Sequence, residues 1–388
     1  MNLPDANPLD SVLNGFSGCF SGSYAPDQVQ LLLRLIKAEH TDVEEKELLI
    51  QTGQKHYSEM ISLESAPSEL HQQVYQQAVA EGLPRLAREI QALALALQQY
   101  AQQQHAKNTL TDQPIVLVSL VRAGLPIGVM LQHALKDLGV SVLHYGVSII
   151  RDRGLDAVAY AQIRQQHGYA QLVFVDGWTG KGAISRELRS SVQTDPEFDG
   201  VVRLVTLADV SGYAWLTASS DDWLIPSGVL GATVSGLISR TLYQADQLHG
   251  CLFYHDLQTF DHSRDLIEQV NQQRQQQRQQ QHQQLNTISP AVWPEHARQQ
   301  QQQLAARVVA MVAERFEVQQ PNRIKPSLAE ATRAVLRRVP ERVLLREADD
   351  PQTRLLRHLA AAQGAPIELL GDAIAPYRAI TIIQRRGV

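Results

Sequence analysis

The run LVFVDGWTGKGAISREL at 172–188 constrains the fold of this chain more than any other stretch. Leu172 to Val175 form a short apolar β run, Asp176 closes it, Thr179-Gly180-Lys181-Gly182 make a loop, and Ala183 to Leu188 begin a helix. Such a turn aims its backbone N–H groups and a helix N-terminus at one spot, which suits an anion. Thr179 adds a hydroxyl and Lys181 a charge, while Asp176 can hold a ribose hydroxyl or a Mg²⁺ ion. Glycines at 177, 180 and 182 let a ligand approach the backbone. The spacing is neither that of a P-loop nor that of a G-x-G-x-x-G dinucleotide site. Taken alone, the segment is also readable as a structural strand-to-helix turn.

The segment resembles the 5-phosphoribosyl-1-diphosphate (PRPP) loop of type I phosphoribosyltransferases, which is a hydrophobic strand, an acid pair and a Thr/Gly-rich turn. The usual second acid is Gly177 here, and Trp178 follows it. Other segments stand in the order this resemblance requires. IVLVSLVRAGLPIGVML at 115–131 is a strand, a turn at Arg122-Ala123-Gly124 and a helix, and is similar to the loop that binds the diphosphate leaving group. HYGVSIIRDRGLDAVAY at 144–160 is a third strand followed by Arg151-Asp152-Arg153-Gly154, in the place of the mobile catalytic loop. VVRLVTLADVSGYAWL at 201–216 is a further strand. In 221–243, Asp222, Trp223 and Ile225 are in the place of a hood over the base, with Trp223 readable as a core residue instead.

Length and composition agree with a multidomain α/β chain. At 388 residues two or three domains are expected. Cys19 and Cys251 are the only cysteines, which excludes a disulfide scaffold or a zinc cluster. The beginning, MNLPDANPLD, lacks a basic, apolar leader, and no apolar run is long enough to span a bilayer, so a cytoplasmic protein with no membrane partner is expected.

The Gln-rich tract NQQRQQQRQQQHQQ at 271–284 reads as a solvated helix or a flexible linker. A second run occupies 299–303. These place a linker at 266–303, between an N-terminal domain over 1–265 and a C-terminal domain over 304–388. Residues 304–388 hold 14 Lys+Arg and 9 Asp+Glu, a net of +5, against 21 − 31 = −10 for the rest. A basic portion on an acidic chain suggests a polyanionic partner. Strands are expected at 342–347 and 377–387 and a helix followed by a strand in 351–370. This alternation resembles the RNA-binding domain shared by Pelota and the ribosomal protein L7Ae, which implies phosphate contacts for Arg337, Arg338, Arg385 and Arg386.

As a whole the chain resembles bacterial phosphoribosyltransferase-like proteins with a C-terminal Pelota-type domain, found with tellurium-resistance and stress genes. The N-terminal segments FSGCFSGSYAPDQVQLLLRL and KELLIQTGQKHYSEMISLESAPS belong to that likeness. The resemblance implies transfer of 5-phosphoribosyl from PRPP to a base-like acceptor in making a modified ribonucleoside. In that chemistry Arg151, Arg153 and Asp176 act in catalysis, and Arg122, Ala123, Gly124, Asp176, Thr179, Gly180, Lys181 and Gly182 bind PRPP. Mg²⁺ sits at Asp176, and the assembly is homo-oligomeric. Some members carry the label cysteine protease StiP, for which Cys19 as nucleophile and His56 as base are the candidates. A third reading is a non-catalytic protein that senses PRPP or a nucleotide and passes the signal to RNA.

Overall fold

A computed structural model of the chain describes residues 20–106, 113–280 and 295–385. Strands β1 (Gln30–Leu31), β2 (Ile115–Val121), β3 (Val142–Ile150), β4 (Leu172–Val175), β5 (Trp178–Thr179), β6 (Leu204–Asp209) and β7 (Leu216–Ser219) form one sheet. Their order is β1-β3-β2-β4-β6-β5, with β7 also on β6, and every pairing among them is parallel. A short arm, Gly154–Leu155, folds back antiparallel onto β3.

Strands such as β2 are continuous apolar runs because both of their faces are covered. Helices α1 (Glu69–Ala106), α2 (Gly124–Asp137), α3 (Ala157–His167), α4 (Ala183–Val192) and α5 (Ser263–Gln280) do the covering. Alternate residues of β2 part to opposite sides. Ile115 and Leu117 join Leu93, Leu131 and Leu266 from α1, α2 and α5, while Val116, Val118 and Leu120 join Ile163 and Leu188 from α3 and α4. The result is a doubly wound, mostly parallel α/β sheet, with the β2, β3 and β4 loops all at strand carboxyl ends.

Beyond it come α6 (Glu295–Arg315), β8 (Ile324–Pro326), α7 (Leu328–Arg337), β9 (Pro340–Leu345), α8 (Arg354–Ala362), β10 (Ile367–Leu369) and β11 (Ala379–Ile383). Their sheet has the order β8-β11-β9-β10, mixed in direction. Ala305, Val308 and Val312 of α6 cover one face, against Leu344, Ile380 and Ile382. Ala331 and Val335 of α7 and Leu356 of α8 cover the other, in an apolar cluster that continues into the N-terminal body through Trp223, Val229 and Leu328.

Of the two readings of the Gln-rich tract, its described part takes the helical one, over residues 271–280, but the helix is docked on the N-terminal body rather than linking two domains. This part of the tract is the end of α5, which buries Leu266, Ile267, Val270 and Arg274 against the N-terminal body. Arg274 pairs with Asp137 and donates to Gln91 Oε1 at 3.0 Å. The folded body therefore runs to at least residue 280, not 265. The second Gln run lies in α6, where Gln301 and Gln302 donate to the Val210 and Gly212 carbonyls at 2.6 and 2.8 Å. Glutamine here replaces apolar burial with hydrogen bonds to backbone left unpaired beyond β6.

Phe174, fully buried in the central strand β4, provides a test of this packing. Phe174→Ala is expected to cost about 3–5 kcal/mol by leaving a cavity, read as a lower urea midpoint with unchanged slope.

Candidate anion site between the two domains

Three strand ends meet at one place. At the end of β2 the Val121–Arg122 peptide is cis, and Gly124 starts α2 where a Cβ would collide with the Val175 carbonyl of β4. A glycine is required there so that the two loops can touch. From β3 comes Arg151, whose backbone N–H donates to Tyr57 Oη at 2.7 Å. From β4 come Asp176 and the turn to α4. Ala123, Arg151, Asp176 and residues 178–185 line a cavity of about 310 Å³.

The opposite wall belongs to the C-terminal domain, which supplies Lys325, Glu330, Arg333, Ala334, Arg337 and Arg338. Arg240 completes it. A second cavity of about 350 Å³ adjoins and shares Arg240, Arg333, Arg337 and Arg338; Lys46, residues 62–67, Arg122 and residues 229–231 are among the rest of its lining. Sequence reasoning missed Arg240, Lys325, Glu330 and Arg333. The spacing of Arg333 and Arg337, four apart on one helix, was the available signal.

Several expected ligand side chains have other partners. The Lys181 ammonium donates to the carbonyls of Pro321 and Ile324, at 2.8 and 3.1 Å, and so ties the loop to the C-terminal domain. The Thr179 hydroxyl donates to Asp209 Oδ1 and accepts from Ser211 Oγ at 2.9 Å. The hydroxyl is thus buried and engaged within the fold rather than free at the cavity. Gly180 lies against Glu330 and the Pro326 carbonyl, and its own carbonyl accepts from Tyr377 Oη at 2.8 Å.

Arg122 is buried, paired with Glu64 at 2.8 Å, and lines the second cavity. Arg153 turns away from the cavity; it pairs with Glu59 at 3.4 Å and stacks on Tyr243. Asp222, Trp223 and Ile225 line neither of these cavities. Asp222 accepts from the N–H groups of Leu328 and Arg378 at 2.7 and 2.9 Å, which docks the C-terminal domain. Trp223 is a buried residue under Arg85, and Ile225 is fully buried. A hood over a base is thus not what this segment builds; it builds the domain junction, because its apolar side chains find a partner surface there. Arg337 and Arg338 face the cavities, Arg385 is exposed at the edge, and Arg386 lies outside the described residues.

The electrostatics are those of a cationic site short of counter-ions. Burial pushes the Lys325 ammonium down to about 7, with Arg151, Lys181 and Arg338 adding repulsion. Burial likewise lowers Lys181 to about 8 and Arg333 to about 10 and shifts Arg240 downward, whereas Arg337, on the same helix as Arg333, is exposed to solvent. Burial also raises the Asp176 carboxyl to about 7, opposed by the Gly177 N–H and Arg333. Glu64 behaves differently: burial works against its charge, but Arg122, Arg337 and the Ala232 N–H outweigh it and hold it at about 2.

The cysteines do not form a comparable site among the described residues. Cys251 is fully buried and its thiol is pushed up to about 12 by burial. Cys19 lies outside the described residues. His56 Nδ1 is 2.7 Å from Ser58 Oγ, and its Nε2 is buried 3.9 Å from Asp152.

Fold and site together define a doubly wound α/β protein whose strand-end cavity, rich in cationic side chains, is walled by a small C-terminal α/β domain. A family model described as "Tellurite-like stress resistance cysteine protease StiP" matches residues 22–271, and one described as "PELOTA RNA binding domain" matches 303–385. The chain is 51% identical over 382 residues, 95% of either chain, to a protein of Acinetobacter baylyi named "Cysteine protease StiP". It therefore belongs to the StiP family. Among solved structures, the hypoxanthine phosphoribosyltransferase of Trypanosoma cruzi is 17% identical, with 32% of this chain and 66% of that chain covered and a TM-score of 0.25. A structure from an analysis of an invariant aspartic acid in HPRTs, the alanine mutant, is 15% identical over 37% and 81%, at 0.26. No described helix is long and apolar enough to cross a membrane.

The lysine shifts predict the pH dependence of anion affinity. Lys325 and Lys181 are ammonium ions below about 7 and about 8, so binding is strongest below pH 7 and weakens as pH rises through both values. Sulfate, whose charge is constant over this range, is the probe. Calorimetry should show its affinity falling between pH 7 and 9, and Lys325→Met should flatten that fall.

Proposed function

We propose that this chain is a phosphoribosyltransferase that moves 5-phosphoribosyl from PRPP to a base-like acceptor with release of pyrophosphate. The observation that carries this reading is the convergence of three strand-end loops on a cavity lined, among the described residues, by the cationic groups of Arg151, Lys181, Arg240, Lys325, Arg333, Arg337 and Arg338 against the carboxyl groups of Asp176 and Glu330. A ligand with several phosphate charges matches that excess. Mg²⁺ fits the site: Asp176 is a carboxylate on the wall whose charge is poorly supported, and Mg²⁺ commonly binds through one or two carboxylates plus substrate phosphates. The metal would neutralise charge on the departing diphosphate. Arg151 and Arg333 would stabilise the same charge, and the loop amides of 179–182 would hold the 5-phosphate.

The expected outcomes are concrete. PRPP should bind the full chain in a calorimeter, and Thr179→Val, by loosening the loop, should weaken it by about 1–3 kcal/mol. Asp176→Asn should lower pyrophosphate release by about two orders of magnitude. Unchanged affinity and turnover in both variants would overturn the reading.

A second reading, thiol-dependent peptide hydrolysis, is favoured by the names of the family model and of the Acinetobacter baylyi relative, which support it more directly than they support transfer. Burial makes Cys251 unsuitable as its nucleophile, since the thiolate is the reactive form, and so it rests on Cys19. Cys19→Ala separates the two: proteolysis of casein lost in that variant, with PRPP neither bound nor consumed by the parent chain, would establish the protease and reject the transferase.

The match of 303–385 to a Pelota model supports RNA as a further partner. Gel shifts over a salt series should show affinity falling steeply with salt, with Arg385→Gln weakening it.

A further inference from the structure

The second cavity adjoins the first and shares Arg240, Arg333, Arg337 and Arg338 with it. A donor seated on residues 176–182 would end at these guanidinium groups, and whatever occupies the second cavity would meet it there.

The lining of this chamber is unusual in charge. Among the described residues it includes the cationic side chains of Lys46, Arg122, Arg240, Arg333, Arg337 and Arg338, against the single carboxylate of Glu64. That carboxylate is already engaged: it pairs with Arg122 at 2.8 Å and accepts from the Ala232 N–H at 2.5 Å. Lys46 donates to the Met60 carbonyl at 2.8 Å. Among the described residues no hydrogen bond or ion pair engages the guanidinium of Arg240 or Arg337. Between the charges lie Leu63, Pro67, Leu230 and Leu336, which offer apolar surface.

Arg337 is exposed and can be hydrated, but Arg240 is half-buried, and a neutral nucleobase would leave part of its five-donor guanidinium unpaired even with the donor's diphosphate beside it, which is unfavourable. A flat ring bearing a carboxylate would cover the apolar wall and give a guanidinium its planar, bidentate match. We propose that this chamber is the acceptor site and that the acceptor is an acidic ring compound whose carboxylate is held by Arg240 and Arg337. This rests on the phosphoribosyl-transfer reading. In the step, a ring nitrogen of the acceptor bonds to ribose C1 as the C1–O bond to the diphosphate breaks. The bonding pair leaves with the pyrophosphate, and any proton on that nitrogen passes to solvent.

The test uses pairs of rings that differ in charge: nicotinate against nicotinamide, and orotate against uracil. Each is titrated into the full chain in the presence of Mg²⁺ and pyrophosphate, beside a separate titration with PRPP. The acids are expected to bind about tenfold or more tightly than their neutral partners, as one lost charge-assisted contact would imply. Arg337→Gln and Arg240→Gln, each checked for an unchanged thermal melt, should bring the pairs to equal affinity. If PRPP binds but the neutral rings bind as well as the acids, or neither acid binds, the acceptor assignment is overturned while the transfer reading stands. If PRPP itself does not bind, the transfer reading fails and takes the acceptor assignment with it.

Discussion

Like charges packed between two domains repel, and this repulsion is the constraint to which the rest of the molecule answers. Lys325, Arg333, Arg337 and Arg338 approach Arg122, Arg151, Lys181 and Arg240 with few carboxylates among them. Such an arrangement costs free energy unless it is hydrated or matched by an anion. The junction therefore has to be held by something other than ion pairs across the cavities. It is held around them: by Asp222 on two backbone N–H groups, by Lys181 and Tyr377 on carbonyls, by Arg378 between Asp221 and Asp350, and by apolar contact through Trp223 and Leu328. Contacts at the edge fix the geometry and leave the interior charge available to a ligand.

The same logic explains the loop. Asp209, at the end of β6, accepts from Thr179, from the Tyr213 N–H at 3.0 Å and from the Ala214 N–H at 2.7 Å. A fully buried carboxylate with that many donors stays in place and locks the turn before any ligand arrives. Preorganised dipoles stabilise charge better than dipoles that must reorient. Thr179 thus serves the site by shaping it, and Asp176, which accepts from its neighbour Gly177 at 2.8 Å, is the loop's carboxylate on the cavity wall.

The Cys251 thiol and this cavity differ physically in accessibility. A thiol works as a nucleophile only as a thiolate in a polar, reachable setting. Cys251 sits in the apolar core, where burial suppresses that form. The cavity has the opposite character: polar, lined by loops, and placed at the carboxyl ends of parallel strands where ligands of such sheets bind.

Much of this was legible in the chain itself. Short apolar runs ending at Val121, Ile150 and Val175, each followed by a turn and helix-forming residues, determine a parallel sheet with its loops on one edge, because periodicity and turn chemistry are local properties. Asp176, Arg151 and the 179–182 turn were found in this way. Local pattern could not reveal that residues 222–225 meet the C-terminal domain, or that the tract after 270 buries Arg274. Nor could it reveal that Arg333 and Arg337 point at a loop some 150 positions earlier in the sequence. Those facts depend on which surfaces meet once the sheets have formed. The basic C-terminal charge was readable as a sum, but only docking decided that part of it faces inward, since complementary apolar and hydrogen-bonding surfaces bring α7 against the strand ends.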